Sequence, residues 1–201
     1  FAGILLFAWN MAVTLFRASR WDAITISAAA AVVYLVLTGL TGMAMGINFA
    51  TGLWNDMHNR LFGTHIWLGT VGWFGLLITG FSYKLLPMFY LSHHYPTPLQ
   101  KVVPVLWNAG TIAGAASFLL GGSSWSLLSA LLLVAAAVVV YNAHIVQIQK
   151  HRFKRSPGSG IQWSVYGNYT LGAAVIAMLA YALWKPQVLY QTKSVTLAGW
   201  V

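Results

Sequence analysis

Six histidines carry most of the chemistry open to this 201-residue sequence, which has no cysteine and only two acidic residues. His65 opens an apolar run that continues to Phe89, and Gly69, Gly72 and Gly80 follow it. These spacings of three and four place the imidazole and the glycines on one helical face. An ionisable group in such a run is costly, so it indicates a function. A glycine face admits a flat cofactor or a closely packed helix.

His65 has two interpretations. Neutral imidazole is a good ligand for haem iron and a less favoured one for copper here, and Trp67, Gly69 and Gly72 would then lie beside the cofactor. Alternatively, His65 is an interfacial residue that hydrogen-bonds a carbonyl, and the glycines serve helix packing. His58 lies in the preceding polar loop and is the candidate second metal ligand within this chain.

The other histidines are weaker candidates. His144 follows Tyr141 by one helical turn near the end of an apolar run. It could be a cofactor ligand or a proton relay, or a histidine favoured by the dipole at a helix C-terminus. His93 and His94 form a tandem pair in a loop, where solvent or lipid head groups are their expected neighbours. His151 belongs to a basic run expected to face lipid head groups.

Composition identifies an integral membrane protein. Hydrophobic residues make up 59% of the chain and charged residues 6%, whereas soluble domains carry about 25% charged residues. The net charge of +9 comes from basic residues near helix ends, which indicates anionic lipid and no nucleic-acid partner. Without cysteine there is no disulfide, thiolate-bound zinc, cysteine-ligated iron–sulfur cluster or thioether-attached haem.

The apolar runs predict an all-α, polytopic transmembrane helix bundle that forms a single domain over 1–201. Each run is close to the roughly 20 residues that cross a bilayer as a helix. The sequence begins inside an apolar run, so we expect it to be part of a longer protein, with other membrane subunits or a missing half as partners. About six spans are predicted, at 1–16, 23–50, 65–89, 102–120, 125–149 and 161–184.

Lysine and arginine predict the orientation. The loops after spans 1, 3 and 5 hold most of these residues, so the positive-inside rule makes those loops cytoplasmic. His58 and His65 then lie toward the outer side and His144 toward the inner side. With a rise of 1.5 Å per residue, His65 and His144 should be about 25–30 Å apart and cannot share one metal ion.

Two motifs in the third span resemble those of bacterial membrane proteins related to haem–copper oxidase subunit I. They are Leu-Gly-Thr-Val-Gly-Trp at 68–73 and Tyr-Lys-Leu-Leu-Pro-Met-Phe at 83–89. The basic turn Arg-Ser-Pro-Gly at 155–158 is also similar to a turn between late helices of that group. The resemblance implies a twelve-helix bundle of the bacterial inner (plasma) membrane, with this chain as its second half.

Departures from that group narrow what the resemblance implies. Many relatives carry His-x-His at the head of the corresponding helix, whereas Trp67 replaces the second histidine here, so only His65 carries over as a haem ligand. The pair His93–His94 follows the His65 helix instead of preceding it, and the His-Pro-Glu-Val motif is absent, so copper is not assigned.

Three functions remain open. The first is a haem-binding subunit that transfers electrons in a respiratory-type complex, with a protein electron donor or acceptor. A second is an oxidoreductase of the haem–copper type that reduces oxygen or nitric oxide. The third is a structural or transport subunit without a cofactor.

Overall fold

The structure, a computed structural model, describes residues 1–185 and Gln187, and its regular elements within these residues are helices. This confirms the predicted all-α fold. Among the described residues, five helical stretches are long and apolar enough to cross a membrane, and Ala2–Phe16 is a shorter apolar helix. The α-helices are α1 (Ala2–Phe16), α2 (Ala23–Thr51), α3 (His58–Trp67), α4 (Leu76–Tyr90), α5 (Pro98–Leu120), α6 (Ser124–Lys150) and α7 (Ser159–Trp184).

The third span is composite. A 3₁₀ turn at Asn55–Met57 leads into α3, a π-helical segment at Leu68–Gly75 follows, and α4 completes the span. Glycine is the residue that most easily allows such a departure from α-helical geometry, and three glycines fall in the π-helical segment. A wider helical turn of this kind is often found at functional sites.

Two predicted boundaries are corrected. The third span was predicted to start at residue 65 with His58 in a loop, but His58 is the first residue of α3. The polar residues around His58 are typical of a loop, so the sequence did not indicate a helix start there. In the structure, Leu61, Gly63 and Thr64 of this helix are buried. The fourth span starts at Pro98 instead of residue 102, because proline is favoured in the first helical turn.

One end of the bundle, called the basic end below, is where α1, α4 and α6 finish and α2, α5 and α7 begin. The Asp22 carboxylate caps α2 there by accepting hydrogen bonds from the backbone N–H groups of Ile24 and Thr25. The hydrogen bond from Thr25 lowers the pKa of the Asp22 carboxyl, and the charge of Lys84 adds to this effect. Such a cap satisfies backbone donors that the helix itself leaves free.

Two tryptophans join the third span to α5 through reciprocal hydrogen bonds. The indole N–H of Trp67 donates to the backbone oxygen of Thr111 at 3.1 Å, and that of Trp107 donates to the oxygen of Val71 at 2.7 Å. Each helix thus gives an indole donor and receives one at a carbonyl. In a lipid environment these bonds satisfy polar groups that have no water partner.

Glycines let both indole rings approach the opposite helix. A Cβ atom at Gly114 would overlap the ring of Trp67, and one at Gly75 would lie 2.5 Å from Cζ2 of Trp107. Close backbone approach at small residues is the usual basis of helix association in membranes. The two glycine–tryptophan contacts therefore set the separation of the third span and α5.

We expect Gly75→Leu to destabilise the protein by about 1–3 kcal/mol, because the added side chain must displace the Trp107 ring. Unfolding in detergent, followed by circular dichroism, measures the change. Gly167→Leu is the matched control, since a Cβ at Gly167 meets nothing within 4 Å. Equal stability of the two variants would contradict this packing role.

Candidate functional site

His65 is bound to α2 through one ring nitrogen. Its Nδ1 lies 2.9 Å from the backbone oxygen of Thr38 and 3.2 Å from the hydroxyl of Thr41. Because a carbonyl oxygen can only accept, Nδ1 must carry the proton in this contact. The neutral ring then has its lone pair on Nε2. The structure thus leaves His65 with one nitrogen suited to bind a metal.

The imidazole of His65 also packs against a glycine of α2. A Cβ atom at Gly42 would lie 3.0 Å from the ring Cε1 and 4.0 Å from Nε2. The side chain is half-buried. A histidine held by a carbonyl at its other nitrogen is the arrangement typical of metal ligands, and it is equally compatible with helix packing alone.

The glycine face predicted to accept a cofactor is occupied by protein. A Cβ at Gly69 would lie 3.3 Å from Thr38 Cγ2, and one at Gly72 would lie 2.8 Å from Tyr34 Cγ and 3.0 Å from Thr111 Cγ2. Side chains of α2 and α5 therefore fill the space in front of both glycines.

Tyr34 and Trp67 hold the same interface. The Tyr34 hydroxyl donates to Asn108 Oδ1 at 2.8 Å, and the Trp67 ring contacts α5 through Gly114 and Thr111. Trp67 thus acts in helix packing, one of the two roles that the glycine face admits.

A small-residue surface near His65 lies on α2 and is open at one of its two glycines. Gly42 underlies the imidazole, and one turn further a Cβ at Gly46 would meet nothing within 4 Å. The first turn of α1 packs on Gly39 through Phe1 and Ile4, so the described part of α1 stops short of Gly46. This surface, formed by Gly42 and Gly46 and called the α2 glycine surface, was not predicted as part of the site. Its signal in the sequence is the spacing of four between the two glycines.

His58 occupies a different environment from His65. Its Nδ1 lies 3.4 Å from the Asn48 side-chain amide nitrogen, and the Asn48 oxygen accepts from Trp54 N at 2.6 Å. Because Asn48 therefore presents its NH₂ group, His58 Nδ1 is the acceptor, the opposite tautomer to that of His65. The two histidines are two helical turns apart, about 10 Å along the axis. The structure does not bring them together on one metal ion.

His144 is fully buried near the basic end. Its Nε2 lies 3.1 Å from the backbone oxygen of Pro96, so Nε2 carries the proton and ties the loop after α4 to α6. The rings of Tyr83 and Tyr95 stand edge-on to the imidazole, with centroids at 5.2 and 5.7 Å. The Nδ1 atom, which could act as a ligand, is buried without a hydrogen-bond partner.

Other buried polar atoms of α4 and α6 also lack partners. The Tyr83 hydroxyl, Asn142 Oδ1 and Gln147 Oε1 also have no partner within the described residues, while the Tyr141 hydroxyl donates to Ser82 Oγ at 2.9 Å. Atoms in this state cost about 1–3 kcal/mol each. Three of the four unpartnered atoms are acceptors, so each of the three is suited to a hydrogen-bond donor such as water. For the three atoms of α6, the signal in the sequence is the polar residues that recur along 141–147.

The described residues hold no group of three or more His, Asp or Glu side chains that could bind a metal ion together. His93 and His94 are exposed in the loop after α4, and His94 has a positive φ of 54°. His151 is exposed at the end of α6, where its Nδ1 contacts the Gln147 backbone oxygen at 2.9 Å. This agrees with the loop and head-group positions expected for these residues.

No known family model, curated protein or solved structure matches this chain. The resemblance to haem–copper oxidase subunit I therefore stays a prediction based on the motifs of the third span. What the structure establishes is a helical protein with helices long and apolar enough to span a membrane, and with His65 and His144 in two separate environments.

We expect His144→Ala to destabilise the protein by about 2–4 kcal/mol, because it opens a buried cavity and removes the donor to Pro96. Hydrogen exchange followed by mass spectrometry should show faster exchange in the loop at 91–97. His151→Ala, at an exposed position, should change neither quantity. A His144→Ala protein with wild-type exchange in this loop would contradict the tether.

Proposed function

We propose that this chain is a haem-binding membrane subunit that transfers electrons, with His65 as an axial ligand through Nε2. The observation that carries the proposal is the 2.9 Å contact between His65 Nδ1 and the Thr38 carbonyl oxygen. It fixes the tautomer in which Nε2 is free to bind iron and makes the imidazole a stronger donor. A histidine inside a membrane span also calls for a functional explanation.

The residues around His65 are compatible with one axial haem ligand. Iron in haem takes neutral imidazole readily, and bound haem would supply one-electron oxidation and reduction. The Thr38 carbonyl would orient the ring of His65, and Gly42 would allow that ring to lie close to α2. The α2 glycine surface is open at Gly46, one turn from the glycine that the imidazole covers, whereas Gly69 and Gly72 would support the packing of α3 and the π-helical segment.

Partners follow from the same geometry. His58 is two turns away from His65, so a second axial ligand would come from another membrane subunit or another part of the protein. Electrons would pass to or from a protein donor or acceptor. The protein would lie in a bacterial plasma membrane. The excess of Lys and Arg at the basic end supports a cytoplasmic position for the loops after α1, α4 and α6, and His65 would then lie toward the outer side.

A subunit without a cofactor is the second candidate. The filled space at Gly69 and Gly72 and the bond from His65 to Thr38 favour it, because both features are complete as helix packing. Under this hypothesis His65 and His144 would be interfacial residues in a structural or transport protein.

We expect the purified wild-type protein to show a haem Soret band, and His65→Ala to lower the haem bound per protein at least tenfold. The reason is the loss of an iron–nitrogen bond. His58→Ala is the matched control on the same helix and should retain the band. The absence of a Soret band from intact, haem-supplied wild-type protein would contradict haem binding, and an unchanged band in His65→Ala would contradict the ligand assignment.

A second variant tests the position of the ring while keeping the ligand. Gly42→Leu should weaken haem binding, because the new side chain must displace the imidazole that now lies against Gly42. Gly167→Leu controls for an added leucine in a span. Equal haem content in these two variants would show that the contact between His65 and α2 has no part in binding.

A further inference from the structure

A cleft of about 610 Å³ opens at the basic end, beside the last turn of α6 and the loop that follows it. The cleft is separate from the site at His65, which contacts α2 at Thr38. The cleft, called the α6 cleft, is lined by Val146, Gln149, Lys150, Arg152, Phe153 and Arg155.

Within the part of the chain that the structure describes, no carboxylate pairs with the cations of the α6 cleft. The chain contains 11 Lys and Arg residues but only two acidic residues, which are Asp22 and Asp56. Asp22 is occupied as the cap of α2, and Asp56 lies in the 3₁₀ turn before α3 at the opposite end. The positive charge of Lys150, Arg152 and Arg155 therefore attracts an anion from outside the described residues.

The α6 cleft also has apolar side chains next to its cations. Val146 lies one helical turn before Lys150, on the side of the cleft nearer the middle of the α6 span. Phe153 is 85% exposed, which is costly in water but favourable at a membrane interface. The apolar groups thus lie beside the cations as acyl chains lie beside a lipid head group.

The base of the α6 cleft is held in place by three hydrogen bonds. Gln149 donates from Nε2 to the Tyr90 hydroxyl at 3.2 Å and accepts at Oε1 from the Tyr169 hydroxyl at 2.9 Å. The backbone N–H of Lys154 donates to the Tyr90 backbone oxygen at 3.0 Å. These bonds tie α4, α6 and α7 together, so the cleft is preformed and little ordering is needed on binding.

We propose that the α6 cleft binds the head group of an anionic phospholipid. Arg152 and Arg155 bind the phosphate, for which the planar guanidinium is suited, and Lys150 adds charge. Val146 and Phe153 contact the glycerol and the first part of the acyl chains. Binding of this kind fixes the depth and rotation of α6 and α7 in the membrane.

Titration of the full-length protein with phosphatidylglycerol or phosphatidylcholine, followed by native mass spectrometry, tests the proposal. The wild type should bind phosphatidylglycerol more tightly than phosphatidylcholine. Replacing Lys150, Arg152 and Arg155 together by glutamine should weaken the phosphatidylglycerol complex roughly tenfold to hundredfold. Phe153→Ser should weaken it less and leave the salt dependence unchanged.

The control replaces Arg17, Arg20 and Lys101 by glutamine. These residues are exposed at the same end of the bundle and lie outside the cleft, so the loss of charge is identical. This variant should keep at least half of the wild-type affinity. An equal loss in both triple variants, or no loss in the cleft variant, would overturn the proposal. Displacement of the lipid by millimolar free glycerol phosphate would also overturn it, in favour of a soluble phosphate.

Discussion

The contact between the third span and α5 is the interaction on which the rest of the structure depends. Trp67 and Trp107 each place an indole against a glycine of the opposite helix and donate to one of its backbone carbonyls. Hydrocarbon offers no alternative partner to these donors, and a membrane provides no hydrophobic force between helices, so packing and hydrogen bonding must supply the association. Tyr34 of α2 enters the same interface over Gly72. The position of His65 against α2 follows from this arrangement.

The membrane helices could be predicted because apolar length alone decides whether a segment spans. The residues at which the helices start were harder to predict. For example, α3 begins in a polar stretch, and Leu61 and Thr64 are buried there by neighbouring helices. The face shared by His65 and the glycines was also predictable from helical spacing. The helix that packs against that face could not be predicted, because the sequence of one span does not show which other span it contacts.

Contacts between helices were also the part of the candidate site that the sequence could not predict. His65 contacts the backbone oxygen of Thr38, 27 residues earlier in the chain. This contact depends on how α2 and α3 pack, so the sequence around either residue contains no pattern that predicts it. The separation of His65 from His144 was predicted from orientation, and in the structure His65 contacts α2 whereas His144 contacts the loop after α4. The unpartnered atoms of Tyr83, Asn142, His144 and Gln147 could not be predicted, because only the fold shows which polar side chains lose water.

Packing and ligand binding are alternative uses of the same histidine, and they differ at one atom. Nδ1 of His65 is engaged by Thr38 in either case, so only the partner of Nε2 distinguishes a redox subunit from a cofactor-free helix bundle. Electron–nuclear double resonance on the haem-supplied ferric protein, labelled with ¹⁵N-histidine, addresses that atom directly. The haem proposal predicts a strong hyperfine coupling between iron and a histidine ¹⁵N that is lost in His65→Ala. A ferric spectrum with no coupled histidine nitrogen, or one that persists in His65→Ala, would contradict it.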